Sequence, residues 1–134
     1  MVAQSWKYPM DWYQTNVISS IKLIEHLSEL KFFKKYIHAS TPEVYGSTKK
    51  NLIENVDYNP TTPYAISRAC FDAHAMQLYK IKKFPIIFTR AANVYGPGQK
   101  LYRIIPRAIY SSFTNIKLNL DGGGLSKRSF IYID

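Results

Sequence analysis

Helical and strand-like segments alternate along this chain, and that order admits few folds. Residues 12 to 30 carry Val17, Ile21, Ile24, Leu27 and Leu30 at spacings of three and four, one apolar stripe of an amphipathic helix. Residues 35 to 40 form a short β-favouring run. Residues 41 to 63 are polar and hold Gly46, Asn59-Pro60 and Pro63, so they read as a long loop, and a loop of that length is usually functional. Thr62 then caps, and Pro63 opens, a second helix running to about residue 83, with Phe71, Ala75, Leu78 and Ile81 as its expected buried stripe. Residues 84 to 90 predict a buried strand that tolerates Pro85 near its start. Residues 91 to 100, with Gly96-Pro97-Gly98, predict a loop, 103 to 113 a third helix, and 116 to 120 and 129 to 133 two further strands. The expected fold is therefore α/β, a partial parallel sheet with flanking helices. Both loops should sit at the carboxyl ends of their strands, where open α/β sheets bind ligands.

At 134 residues, 46% of them hydrophobic, the chain has the size and apolar content of one domain spanning 1–134. It has no run of 18 apolar residues that would cross a membrane, and its first ten residues lack a charged head followed by an apolar stretch. The single cysteine, Cys70, excludes an internal disulfide and fits a reducing, cytoplasmic setting. The net charge of +9 favours anionic partners: nucleic acid, a membrane surface or phosphorylated small molecules. Its densest cluster, Lys80-Ile81-Lys82-Lys83, falls where a helix ends, and cations there complement the helix dipole. No nucleic-acid motif accompanies the charge, and the 11 tyrosines form no stacking platform, so neither nucleic acid nor membrane is the expected partner. His26, His38 and His74 have no metal-ligand spacing with Cys70, so no metal is expected and all three read as structural or surface residues.

The chemistry concentrates at residues 40 to 68. Ser40-Thr41-Pro42-Glu43-Val44-Tyr45-Gly46 follows the first strand-like run, and Tyr64-Ala65-Ile66-Ser67-Arg68 opens the second helix. A strand end and a helix start thus gather a hydroxyl, a carboxylate, a phenol and a cation. Tyr64 and Arg68, four apart, share a helix face, and a cation beside a phenol favours the phenolate, which suits a general base. Thr41 can hold a substrate oxygen and Glu43 can move a proton. Read singly, each segment is equally an ordinary helix pair or a turn. Together they predict convergence on one pocket. After the second strand, Asn93 and the glycines of 91–99 permit close approach to a ligand, and Arg103 and Arg128 have the planar guanidinium that matches phosphate oxygens.

Taken together, S-T-x-E-V-Y-G, P-Y-x-x-S-R-A, T-R-x-x-N-V-Y-G-P-G-Q, I-I-P and G-G-G-x-x-x-R-S-F-I-Y-I-D resemble the NAD-dependent epimerase/dehydratase family, extended short-chain dehydrogenases that act on nucleotide sugars, and within it the dTDP-glucose 4,6-dehydratase-like branch. The resemblance runs from Asn16-Val17 onward. It implies a Rossmann-type domain, an NAD cofactor, a nucleotide-diphosphate sugar as substrate, and a homodimer for the full-length protein. By position, Tyr64 would be the base at the C4 hydroxyl, Thr41 would hold the same oxygen, and Glu43 would take the proton from C5. Ser40, Tyr64 and Arg68 would meet the nicotinamide end of the cofactor. Asn93, Arg103 and Arg128 would contact the diphosphate side of the substrate. Two positions depart from the pattern: Pro42 stands where the dehydratases have an aspartate acid, and Arg68 where the family has lysine. Dehydration, 4-epimerisation and decarboxylation therefore stay open, as does an inactive relative. None of the six glycines forms a G-x-G-x-x-G turn. The chain is read as the central part of a longer design, with the glycine-rich turn before residue 1, and weak or no NAD binding is expected from these residues alone.

Overall fold

A computed structural model of the chain describes residues 4–47, 51–54, 57–125 and 128–134. The residues group into two compact units, 1–90 and 91–134.

The first unit is built around a parallel strand pair. Short helices α1 (Gln4–Lys7) and α2 (Pro9–Tyr13) lead into a π-helical stretch, Gln14–Ser19, and then α3 (Ser20–Glu29). The single helix expected over 12–30 is therefore three segments, and the wide π turn shifts the register of the stripe at Val17. Strand β1 (Tyr36–Ala39) is followed by a 3-10 turn, Pro42–Tyr45, which lies inside the expected loop. Helix α4 (Pro63–Lys82) starts as the sequence implies: Thr62 Oγ1 accepts from the Ala65 amide at 3.2 Å, and Pro63 fills the first turn. It ends on Lys83, which takes the left-handed conformation at φ 57° in the place where glycine is most common. Strand β2 (Ile86–Thr89) then pairs in parallel with β1, Tyr36 opposite Ile86 through Ala39 opposite Thr89.

The core of this unit lies between the helices and the strand pair. Ile24 of α3, Phe71 and Ala75 of α4, Phe84, and Ile86 of β2 are buried together, with Phe33 stacked on Phe84 at 5.4 Å. Leu78 packs against this cluster, but Ile81, the last residue of the expected stripe, is 76% exposed. At about 100° per residue, ten residues carry Ile81 roughly 80° away from Phe71, off the buried face.

The second unit holds β3 (Asn93–Tyr95), α5 (Ile104–Thr114), a 3-10 turn at Asp121–Gly124, and β4 (Phe130–Tyr132). β3 and β4 pair in parallel, Asn93 opposite Phe130. β3 was expected to be loop. Its strand character comes from a partner 37 positions away, which no local pattern reports. Conversely, residues 116–120 form no strand. Ile116 and Leu120 are both exposed, and an apolar alternation becomes a strand only where a neighbour pairs with it.

Phe71→Ala should cost about 3–5 kcal/mol in denaturant unfolding, because it empties the centre of the core. Ile81→Ala, on the same helix, should change stability by no more than about 0.5 kcal/mol.

Candidate functional site

The candidate residues of the first unit sit at the carboxyl ends of its two parallel strands. The Ser40 amide still donates to the Thr89 carbonyl at 2.8 Å, so the ladder holds one residue beyond β1. Thr41 is buried, and its Oγ1 accepts from the Glu43 amide at 3.3 Å, capping the 3-10 turn. Pro42 occupies the first position of that turn, where its missing amide is no loss. Glu43 is half-buried within it.

Helix α4 brings Arg68 and Asp72 to the same strand end, while the described contacts of Tyr64 are to Trp12 and Ser67. Tyr64, Arg68 and Asp72 are spaced by four and share one helix face. A terminal nitrogen of Arg68 donates to the Ala39 carbonyl, and Ser40 Oγ donates to Asp72 Oδ2 at 2.6 Å. Tyr64 packs edge-to-face on Trp12, ring centres 5.2 Å apart. Its carbonyl accepts from Ser67 Oγ at 2.8 Å, and Ser67 in turn accepts from Asn16 Nδ2 at 2.9 Å. Asn16 and Ser67 are both buried, so this pair locks the first turns of α4 onto the π-helical stretch.

Behind these residues lies a buried polar cluster absent from the sequence expectations. Asp72 is fully buried and also accepts from Arg90 at 2.8 Å. Arg90 follows β2, donates to the hydroxyls of Tyr45 and Tyr58, and lies over both rings at 5.4 and 5.3 Å. Tyr45 and Tyr58 lie within the long loop at its neck, which is closed by the Asn59 amide donating to Val44 O at 2.9 Å. Gly46 makes that closure possible. It takes φ 70°, and a Cβ there would meet the Asn59 carbonyl oxygen at 2.1 Å. The one sequence signal available for this cluster was Asp72 itself, four residues past Arg68 and next to Phe71 of the apolar stripe, since a buried carboxylate demands partners.

Electrostatics follow from the burial. His38 of β1 is buried against Phe71, ring centres 4.4 Å apart. Burial, with the Arg68 and Arg90 charges, outweighs the pull of Asp72 and lowers its pKa from 6.5 to about 4. The ring is therefore neutral near pH 7. Its Nε2 is 3.7 Å from Asp72 Oδ1, too long for a hydrogen bond. Burial also raises the pKa of Tyr58, with Asp72 adding to the effect and Arg90 opposing it. For Arg90, burial acts downward, but the Asp72 hydrogen bond and the neighbouring Tyr58 and Asp72 charges more than offset it, and its pKa rises.

In the second unit, Asn93 and Arg103 line one cleft of about 200 Å³, together with Tyr95, Gln99, Tyr102 and Phe130. Asn93 Nδ2 donates to the Ser129 carbonyl at 3.0 Å, and Gln99 Nε2 donates to Val94 O at 2.9 Å. Arg103 occupies the N-cap position of α5 without a side-chain capping bond, so its guanidinium charge and the positive end of the helix dipole lie together. The described lining of the cleft does not include Arg128, which precedes Ser129 in the chain.

A parallel α/β arrangement with polar candidate residues at the strand ends is the arrangement in which Rossmann-type folds bind their ligands. Comparison with known proteins agrees. The NAD dependent epimerase/dehydratase family matches residues 1–134, and the chain belongs to that family. It is 36% identical to the dTDP-D-glucose 4,6-dehydratase of Dictyostelium discoideum, over 99% of this chain and 33% of the relative. It is 37% identical to the human enzyme of that name, over 87% of this chain and 33% of the relative. The chain thus spans about a third of the length of these curated relatives. Among solved structures, the dTDP-glucose 4,6-dehydratase of Bacillus anthracis str. Ames in complex with NAD superposes with a TM-score of 0.81 at 34% identity, covering 92% of this chain and 40% of that one. The UDP-N-acetylglucosamine 4-epimerase of Methanobrevibacter ruminantium M1, in complex with UDP-N-acetylmuramic acid, gives 0.87 at 27% identity, covering 98% and 44%. The fold is Rossmann-type, as the sequence implied.

The neutral His38 makes stability depend on pH. The unfolded chain protonates this residue near 6.5 and the folded one only near 4, so the unfolded state binds more protons between those values. Stability should be full above pH 6.5 and decline as pH falls toward 4. His38→Gln should flatten that part of the profile, measured by urea midpoints from pH 7 to 4.

Proposed function

We propose that this chain carries the strand-end and helix-start portion of an NAD-dependent nucleotide-sugar enzyme, one that oxidises sugar C4 in the manner of a dTDP-glucose 4,6-dehydratase. The observation that carries the reading is the double tie of α4 to the β1 end: Arg68 to the Ala39 carbonyl, and Asp72 to Ser40. These bonds hold the Tyr64 helix against the Ser40-Thr41-Glu43 turn.

In this reading Tyr64 takes the proton from the C4 hydroxyl. Thr41 already accepts the Glu43 amide, so its own hydroxyl hydrogen is left to hold the same sugar oxygen. Glu43 removes the proton at C5. When bound, NAD supplies the redox chemistry, taking hydride from C4 and later returning it. The donor set fits the nicotinamide end of that cofactor. The Nε of Arg68 is buried without a partner among the described residues, and a ribose hydroxyl would satisfy it. Ser40 and Tyr64 stand beside it in the sequence pattern. No described residues form a glycine-rich cradle for the pyrophosphate. Asn93, Arg103 and Arg128 are assigned to the diphosphate of the sugar nucleotide, Asn93 and Arg103 through their shared cleft.

A second reading, 4-epimerisation, is favoured by Pro42, which has no proton to give a departing C6 hydroxyl. The likeness to a 4-epimerase structure supports it as well. The protein is read as cytoplasmic and homodimeric. No helix among the described residues is long and apolar enough to cross a membrane. Exposed Ile18 and Leu23 on the α3 side, with Ile66 and Tyr79 on α4, would supply an apolar dimer face.

Incubation of the full-length protein with dTDP-glucose should yield a 4-keto-6-deoxy product; a 4-epimer instead would select the second reading, and no product from any nucleotide sugar would overturn both. Tyr64→Phe should reduce turnover by about 10²–10⁴-fold with the fold intact by circular dichroism.

A further inference from the structure

We propose that Asp72, acting with Arg90, is a positioning residue that sets the geometry between the Tyr64 helix and the Ser40-Thr41-Glu43 turn. The inference deepens the function proposed above and rests on it.

Asp72 is one turn beyond Arg68 and two beyond Tyr64 on the same helix face. It is fully buried, and its Oδ2 accepts two charge-assisted or short hydrogen bonds from different elements. The 2.6 Å bond from Ser40 fixes the first residue after β1. The 2.8 Å bond from Arg90 fixes the first residue after β2. Arg90 then passes the constraint on, bonding Tyr45 at the end of the 3-10 turn and Tyr58 at the far side of the loop neck. Glu43 lies in that same turn. One carboxylate thus joins the helix of the phenol to the backbone that carries the hydroxyl and carboxylate partners. A rotation of Ser40 or a shift of the Tyr45 turn by an ångström would misplace groups that must meet a single sugar carbon.

A purely structural role predicts a loss of stability and nothing else. A positioning role predicts more. In the full-length protein, Asp72→Asn keeps shape and an acceptor but loses the charge. Turnover per bound cofactor should fall about tenfold or more, with KM for the nucleotide sugar within about threefold. In the unliganded protein, hydrogen exchange at the Ser40 and Asn59 amides should accelerate, a readout independent of activity. Arg90→Lys, a milder change that keeps charge but not the flat contact with two tyrosines, should accelerate exchange at Asn59 and lower turnover in the same direction. It decides the matter if Asp72→Asn does not fold. Unchanged exchange and turnover within twofold in a folded variant would overturn the proposal alone. An unmodified protein that turns over no nucleotide sugar would overturn the functional reading and the positioning role with it.

Discussion

The arrangement at the strand ends depends on one buried negative charge. A carboxylate taken out of water costs several kcal/mol unless it is paired and hydrogen-bonded. Asp72, with no exposed surface, offsets part of that cost through Ser40 and Arg90, both on Oδ2, while Oδ1 has no hydrogen-bond partner among the described residues. Each partner lies at the end of a different parallel strand, so satisfying the charge also fixes where both strands stop. Arg90 has its own desolvation to offset. It does so with Asp72 and with the hydroxyls and rings of Tyr45 and Tyr58. The loop neck, the strand ends and the helix face are consequently solutions to one electrostatic problem.

The same problem explains His38. Two guanidinium groups, Arg68 and Arg90, surround a site with one carboxylate, and a protonated imidazole would add a third cation among Phe71, Phe88 and Tyr36. Losing the proton is cheaper than burying it. His38 therefore serves as an aromatic filler. Its neutrality leaves Asp72 committed to Ser40 and Arg90, the two groups that tie the helix to the turns.

Much of this was legible in the sequence because it is written locally. The Thr62-Pro63 start of α4, the two strands of the first unit and the 64/68 pair all follow from caps, periodicity and spacing. What was not legible depends on distant partners. β3 exists because β4 pairs with it, and residues 116–120 stay unpaired for want of such a neighbour. The π-helical stretch at Gln14–Ser19 has no period of its own to announce it. Tyr64 and Thr41 stood out by residue type, whereas Asp72 and Arg90 read as one more charge on a helix and one more arginine. Their roles emerge only when a chain separation of 18 positions folds back on itself.

The two units use a common device under the proposed function. In each, a side chain assigned to the ligand is steadied by a bond to backbone, Arg68 of α4 at the carboxyl end of β1 and Asn93 at the first position of β3. Arg68 holds the Ala39 carbonyl in the first unit, and Asn93 holds the Ser129 carbonyl in the second. Each unit also has a glycine where another segment approaches closely. Gly46 admits the Asn59 carbonyl at the loop neck, and Gly96 admits Ile133, whose Cγ2 would lie 2.5 Å from a Cβ there. A side chain at either glycine would push apart the segments that hold the site without touching any group assigned to the chemistry. Under the proposed function, the residues assigned to the chemistry are distinct from the set that ties the segments together in the first unit, a glycine and a buried ion pair. Under that function, Tyr64→Phe would remove the proposed base while keeping the ring packed on Trp12, whereas replacing Gly46 or Asp72 would leave the assigned groups in place and displace them.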